Sequence, residues 1–136
     1  MTLLSLLCAA CTPLPAAVAI ETSCTVTDGD TIRCGDERIR LLGIDAAEKA
    51  GHCRRGRQCA PGDPVASTES LEQAVRKGPL SIIRISEDRY GRTLAMVRSG
   101  EIDLSCHQLR EGQAIYVDRW DDQRAVARTC PDVLTK

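Results

Sequence analysis

Three short blocks of the sequence together hold three carboxylates and two guanidinium groups. Carboxylates bind calcium or magnesium through oxygen, and arginine binds phosphate through a planar fork of donors. A carboxylate that holds no metal can serve as a general base toward water. This combination points to hydrolysis of a phosphodiester. The five residues are Asp30, Arg40, Asp45, Glu48 and Arg92.

Each piece of this set also has an ordinary structural explanation. The segment 28–30 is typical of a turn, and Arg40 in a strand can pair with a surface acid such as Glu37. Asp45 and Glu48 fit a helix cap followed by a charge in the first turn. Each of these explanations is common by itself, but their coincidence in one chain is rare.

Asp30 stands at the end of an expected β-hairpin. An Asp-Gly pair between β-prone residues is a strong short-range hairpin signal, so we expect strands over 25–27 and 31–33. Cys24 and Cys34 are equally distant from the turn and would face each other across the two strands. Cross-strand geometry of this kind suits a disulfide, and we predict the pair Cys24–Cys34.

The remaining elements follow from periodicity, turns and caps. Asp63 before a proline indicates a helix start, Asp103 is the expected cap of a second helix, and a loop fills 49–62. The order predicts an α+β fold, for which a small five-stranded β-barrel of the oligonucleotide-binding type with flanking helices fits. Composition alone does not select this barrel over other sheets of similar size. The expected strands lie at 38–44, 80–86 and 92–98, and the expected helices at 63–77 and 104–110.

Cysteine usage predicts a chain held together by disulfides. There are eight cysteines in 136 residues, and small aliphatic cores in short chains often need covalent help. Cys53 and Cys59 would close the loop between them, and Cys106–Cys130 would attach the C-terminal tail to the second helix. Six cysteines allow fifteen pairings, so these assignments rest on proximity alone.

The N-terminal stretch resembles a secretory signal peptide. It is apolar, lacks charged side chains and ends in a small-x-small triplet. We expect a signal peptide over 1–19 and a single mature domain over 20–136, exported to the periplasm or the medium. A buried helix or a membrane anchor is the alternative, but Pro13 and Pro15 interrupt a helix. A lipid anchor through Cys11 is a further alternative.

The charge balance excludes a protein that binds nucleic acid through bulk positive charge. The formal net charge is −1, so any contact with phosphate has to be local. The chain is 43% hydrophobic and 27% charged, which is typical of a folded globular protein and not of a disordered one.

Taken together, the three blocks resemble the signature of the staphylococcal nuclease (thermonuclease-like) family. The blocks are 28–31, 39–48 and 88–92, and the resemblance extends over about 26–112. It implies an oligonucleotide-binding barrel with flanking helices that hydrolyses DNA and RNA with one calcium ion. It also implies low sequence specificity and 3′-phosphate products. We expect a monomer with no stable protein partner and no membrane span in the mature chain.

The resemblance also implies roles for single residues. Asp30 and Asp45 match the metal ligands, with the backbone carbonyl of Ala46 as a third ligand. Glu48 matches the general base. The two phosphate-binding arginines are matched by Arg40 and Arg92, and the positions that touch the nucleotide phosphate by Arg89 and Tyr90.

Two departures from the family pattern concern the loop after the expected base. Ala47 stands where the family has proline, and a cysteine-bounded insert occupies 53–59. The arginines of that insert either clamp the substrate backbone or lie in solvent. His52 beside the two cysteines hints at zinc, although a disulfide is favoured in an exported protein. Trp120 either stacks on a base or packs in the tail.

Two other functions remain open at this point. The first is a non-catalytic nucleic-acid or protein-binding module on the same fold, and the second is a disulfide-rich extracellular interaction domain. The complete charged set favours the nuclease over both.

Overall fold

The computed structural model describes residues 12–135. Nine strands and three α-helices form within this part of the chain, together with short 3-10 turns. No helix in the described range is long and apolar enough to cross a membrane. The possible lipid anchor at Cys11 and most of the expected signal peptide lie outside the described residues. In chain order the elements are β1 Val18–Ala19, β2 Cys24–Asp28, β3 Thr31–Cys34, β4 Glu37–Leu41, β5 Ile44–Ala46, α1 Pro64–Val75, β6 Leu80–Glu87, β7 Thr93–Ser99, β8 Ile102–Asp103, α2 Leu104–Arg110, β9 Ala114–Tyr116 and α3 Ala125–Thr129.

The strands form one large and one small sheet. The large sheet runs in the order β1-β6-β7-β4-β3-β2, with β8 added on β7, and β5 pairs with β9 in the small sheet. β4 and β7 are parallel, whereas the other paired strands are antiparallel. The mixed α+β class is therefore confirmed. Within the described residues no pairing joins the outer strands β1 and β2, so the expected closed five-stranded barrel is not formed.

The expected third strand divides into two at Gly43. Gly43 has a φ of +72°, which glycine adopts without strain. A Cβ at this position would lie 2.9 Å from Cγ2 of Val126, so the turn also needs glycine for packing. The chain thereby leaves the large sheet after β4, and β5 pairs with β9 instead.

The β2–β3 hairpin forms where the sequence predicts it. Cys24 lies opposite Cys34, with their Cα atoms 4.0 Å apart and their sulfurs bonded. The register shifts between Val26 and Asp28, which marks a bulge beside the turn. A bulge increases the local twist and can redirect a side chain, and Asp30 follows directly.

Both expected helices begin at their predicted caps. The carboxylate of Asp63 accepts hydrogen bonds from the amides of Val65 and Ala66, and Asp103 accepts one from the amide of Cys106 at 3.0 Å. The two helices pack with the sheets around an aliphatic core that excludes water. Its largest fully buried members include Ile32, Ile39, Leu41, Leu71, Leu104 and Val126.

The C-terminal tail is more ordered than its polar sequence predicts. The carboxylate of Asp121 accepts hydrogen bonds from the amides of Val126 and Ala127 at 2.8 and 3.0 Å, which supports the start of α3. The hydroxyl of Tyr116 donates to the same carboxylate at 2.8 Å. The other two disulfides are the predicted pairs: Cys53–Cys59 and Cys106–Cys130.

Candidate functional site

Asp30 connects the hairpin turn to β5. Its Oδ1 accepts a hydrogen bond from the hydroxyl of Thr31 at 2.8 Å, and its Oδ2 accepts one from the amide of Ala46 at 2.9 Å. Asp30 is buried, so these bonds form where water competes little. The carboxylate is consequently held in one orientation by two different strands.

The turn that carries Asp30 is fixed by side chains of the two helices. Nε2 of Gln108 donates to the carbonyl of Gly29 at 2.8 Å and to the carbonyl of Ser67 at 2.9 Å. A Cβ on Gly29 would lie only 1.8 Å from the hydroxyl of Ser67, so only glycine fits here. Sequence reasoning missed Gln108, because a polar residue on a helix gives no signal that it is buried.

Arg40 bridges two carboxylates. Its Nη2 lies 3.5 Å from Oδ2 of Asp30 and 3.3 Å from Oδ1 of Asp45. Its Nη1 donates to the carbonyl of Ile44 at 3.0 Å. All three charged residues are buried, so the guanidinium compensates two negative charges that would otherwise repel each other.

Glu48 faces the same cluster through Arg57. Nη1 of Arg57 donates to Oε1 of Glu48 at 2.5 Å, and its Nη2 lies 3.3 Å from both carboxylate oxygens of Asp45. Arg57 belongs to the loop that the Cys53–Cys59 disulfide closes. The structure thus brings Asp45 and Glu48, which are separated by two residues in sequence, within reach of one guanidinium.

Arg92 is held in place by Asp88, a residue that sequence reasoning did not select. Nε of Arg92 donates to Oδ2 of Asp88 at 2.7 Å. Oδ1 of Asp88 accepts from the amides of Tyr90 and Arg92 at 2.9 and 3.0 Å. The available signal was its position in the same block, two residues before Tyr90. The Asp88 carboxylate therefore organises the whole turn that presents Arg92.

Tyr90 is surrounded by arginines. Its hydroxyl accepts hydrogen bonds from Arg89 at 2.7 Å and from Arg54 at 2.9 Å. The guanidinium carbon of Arg92 lies 5.5 Å from the centre of its ring. These donors lower the pKa of the Tyr90 hydroxyl, foremost through the hydrogen bond from Arg89. The turn is accordingly a site of concentrated positive charge.

Trp120 covers the other side of the cluster. The guanidinium carbons of Arg40 and Arg57 lie 5.1 and 5.9 Å from the centre of the indole ring, and Arg119 adds a third contact at 5.2 Å. Such distances are typical of cation–π interactions. Trp120 thus packs against the charged cluster. Stacking of Trp120 on a nucleic-acid base stays a prediction.

These side chains line one open cleft of about 960 Å³. Asp45 joins the cluster through its ion pairs with Arg40 and Arg57. The structure therefore brings the selected residues together instead of scattering them over the surface. The selected residues that line the cleft directly are Asp30, Arg40, Ala46, Glu48, Arg89, Tyr90 and Arg92.

A comparison with protein-family models gives the identity of the fold. The model described as "Staphylococcal nuclease homologue" matches residues 38–130. The chain belongs to this family. In this nuclease homologue the matched range contains most of the cleft residues but not Asp30, which precedes it. A search of curated proteins found no match.

Electrostatics distinguish the two buried carboxylates of the nuclease homologue. Burial alone would raise the pKa of Asp30, but Arg40 and several hydrogen bonds outweigh it and lower that pKa. Burial raises the pKa of Asp45, and the negative charges of Asp30 and Glu48 add to this effect against Arg40 and Arg57. Asp28 behaves like Asp45: burial and the neighbouring Asp30 raise its pKa to about 6.

The donor set of this family member suits a hard cation. Oxygens of Asp30 and Asp45 approach the same nitrogen of Arg40, and carboxylate oxygens are the preferred ligands of calcium and magnesium. Burial is the main cause of the raised pKa of Asp45, and a bound cation would offset the repulsion from Asp30 and Glu48 that adds to it. The described residues nevertheless contain no ready cluster of three or more His, Cys, Asp or Glu ligands. The thiols suggested for zinc beside His52 are consumed by the disulfide.

Proposed function

We propose that this protein is a calcium-dependent nuclease that hydrolyses phosphodiester bonds of DNA and/or RNA. Its sequence specificity is low and its products carry 3′ phosphates. The observation that supports this proposal is that two carboxylates and two arginines line one open cleft, with a third carboxylate, Asp45, ion-paired to Arg40 beside them. Family membership supports nucleic acid as the substrate class.

Asp30 and Asp45, with the backbone carbonyl of Ala46, would hold one calcium ion. When bound, calcium would supply positive charge that neutralises the substrate phosphate and polarises phosphorus. Arg40 keeps the two carboxylates oriented, since it contacts both of them. Asp30 is further fixed by the amide of Ala46, so the ligands are positioned before the metal binds.

Two arginines bind the scissile phosphate. Arg40 and Arg92 stabilise the negative charge that grows on the phosphate oxygens in the transition state. Arg92 is oriented for this by Asp88, while Arg89 and Tyr90 extend the contact to a neighbouring phosphate. Because a phosphodiester carries one negative charge, a local group of arginines suffices despite the formal net charge of −1.

Glu48 acts as the general base. It orients the attacking water and removes its proton, a role that requires a carboxylate within hydrogen-bond reach of the water. Glu48 lines the cleft and is less buried than Asp45, with 22% of its side chain exposed against 6%. It is therefore the carboxylate of the set that water reaches most easily.

Replacing Glu48 by glutamine tests the proposal. Glu48→Gln keeps the shape of the side chain but cannot accept a proton, so hydrolysis of plasmid DNA with calcium should fall by roughly 10²–10⁴-fold. Glu111→Gln, on the exposed end of α2, removes the same charge far from the cleft and should leave the rate unchanged. Undiminished hydrolysis by Glu48→Gln refutes the role of Glu48. Nucleic-acid binding by wild type without cleavage under several metals would favour the non-catalytic module.

The family fold and the disulfides support further proposals about the whole protein. We regard the large sheet as an opened relative of the oligonucleotide-binding barrel. Three disulfides fit an oxidising compartment, which supports export of the mature domain over 20–136. We further propose that this domain is a monomer. Cleavage after Ala19 would remove β1 but keep Ile20, whose amide donates to the carbonyl of Leu80 at 2.9 Å.

A further inference from the structure

Arg57 contacts two carboxylates of the proposed mechanism, the metal ligand Asp45 and the general base Glu48. Its two terminal nitrogens are divided between them: Nη1 bonds to Glu48, and Nη2 contacts both oxygens of Asp45. The oxygens of Asp45 that would hold a divalent cation are therefore already in contact with a positive charge.

The loop around Arg57 limits where this guanidinium can move. Cys53 and Cys59 are joined by a disulfide with their Cα atoms 6.1 Å apart. Inside the loop the amide of Arg57 donates to the carbonyl of Arg54 at 3.0 Å, and Gly56 has a φ of +83°, which closes the turn. Arg57 is thus a cation on a short covalent tether.

A second arginine of the same loop makes a different contact. Nη1 of Arg54 donates to the hydroxyl of Tyr90 at 2.9 Å, and the guanidinium carbon lies 5.3 Å from the centre of its ring. Within residues 12–135, Arg54 forms no ion pair with a carboxylate. Arg54 and Arg57 therefore carry the same charge on the same loop, and only Arg57 contacts the acidic cluster.

We propose that Arg57 is a tethered cation that competes with calcium for Asp45 and is held beside it by its ion pair with Glu48. Arg40 contacts Oδ1 of Asp45, whereas Arg57 contacts both Oδ1 and Oδ2. A divalent ion on Oδ2 would therefore meet the Arg57 guanidinium, and the two cations repel each other. Calcium binding consequently requires that the loop carry Arg57 away from Asp45. This inference rests on the proposed function, since it takes the assignment of the metal site from it.

Direct calcium titration of the full chain tests this competition without any nucleic acid. Isothermal titration calorimetry on the oxidised protein compares wild type, Arg57→Gln and Arg54→Gln. Charge-assisted hydrogen bonds of this kind correspond to about a tenfold change in affinity, so the calcium Kd of Arg57→Gln should be about tenfold lower than that of wild type. Arg54→Gln removes the same charge from the same loop and should shift the Kd by less than about twofold, because solvent and salt screen it.

An Arg57→Gln variant that binds calcium no more tightly than Arg54→Gln overturns the proposal. The same holds if neither Arg57→Gln nor wild type binds calcium. Cys53→Ser/Cys59→Ser tests the tether: opening the loop should lower the Kd toward the Arg57→Gln value, and a Kd equal to that of wild type overturns the tethering. Thermal melting of each variant checks that the fold is kept.

The outcome is separable from that of the proposed function. Undiminished hydrolysis by Glu48→Gln would reject the catalytic assignment, yet the calcium affinities would still decide whether Arg57 competes. Conversely, hydrolysis that depends on Glu48 while Arg57→Gln binds calcium like wild type would reject the competition alone.

Discussion

At the scale of single residues, the two arginines assigned to phosphate differ in what else they do. Arg40 is buried and is paired with Asp30 and Asp45, so it also stabilises the fold. Arg92 is partly exposed, and its one ion pair within the described part of the chain is with Asp88. A substitution at each position should therefore have a different effect on stability, even where both reduce activity.

We expect Arg40→Gln to lose both activity and stability. Removing the guanidinium leaves the buried Asp30 without its ion-pair partner and leaves Asp45 paired with Arg57 alone. This loss costs about 3 kcal/mol, so the melting temperature in calcium-free buffer should fall clearly. Arg92→Gln should lower the rate by roughly 10²-fold or more and change the free energy of unfolding by less than about 1 kcal/mol. Equal losses of stability in the two variants would contradict this distinction.

Asp103 should make stability depend on pH. Burial raises the pKa of this helix-capping carboxyl to about 6, although the amide of Cys106 opposes the shift. The folded protein therefore holds the proton more tightly than the unfolded chain, whose carboxyl has the ordinary value of 3.8. The contribution of Asp103 to the free energy of unfolding is therefore greatest below pH 4, and it is lost as the pH rises through 6.

We expect Asp103→Asn to remove this dependence while keeping the cap, since asparagine also caps helices. Urea unfolding at pH 4 and pH 7 measures it: the variant should exceed wild type at pH 7 by up to about 3 kcal/mol and match it more closely at pH 4. A variant that is less stable than wild type at both pH values would contradict the raised pKa.

At the scale of elements, the site depends on how the hairpin turn packs against both helices. The carbonyl of Gly29 is held by Gln108 of α2, and Gly29 itself lies against Ser67 of α1. Asp30 follows directly in the chain. A hydrogen bond between two uncharged groups, Gln108 and the Gly29 carbonyl, thus sets the position of the Asp30 carboxylate in the cleft.

Gln108→Leu should loosen this turn. The carbonyls of Gly29 and Ser67 would be buried without their donor, which destabilises the protein by about 1–3 kcal/mol. Calcium affinity should also fall, because Asp30 would be less well oriented. Melting curves and calorimetric calcium titration measure the two effects. Gln113→Leu, in the turn after the same helix, is the control, and an equal effect there would contradict the role of Gln108.

At the scale of the whole molecule, a disulfide attaches the C-terminal segment to α2. Cys106 and Cys130 are both buried and are separated by 24 residues in sequence. Trp120, which covers Arg40, lies between them. The cross-link therefore stabilises the fold and also keeps one wall of the cleft in place.

Replacing both cysteines by alanine should destabilise the protein by about 3 kcal/mol, because a loop of this length loses substantial closure entropy. Nucleic-acid binding should weaken as well, since Trp120 loses its support. Cys53→Ala/Cys59→Ala opens a loop with a separation of only six residues and should cost less. Thermal melting under non-reducing conditions compares the two, and a larger loss in the shorter loop would contradict the argument.

Sequence reasoning predicted those features that local chemistry determines. The β2–β3 hairpin, the caps at Asp63 and Asp103 and the strands β6 and β7 depend on turn and cap residues a few positions away. The break at Gly43 and the helix α3 were missed. Both depend on distant partners, since Gly43 packs against Val126 and β5 pairs with β9.

The sequence by itself determined the family and the residue types of the site, because the three blocks carry their identities in order. Tertiary structure alone decided the pairing of those groups. Arg57 contacts Asp45 and Glu48 from a loop that a disulfide closes, and Gln108 bonds to the turn before Asp30 from far along the chain. Hydrogen bonds and ion pairs between distant residues depend on packing in three dimensions, which residue order does not specify locally.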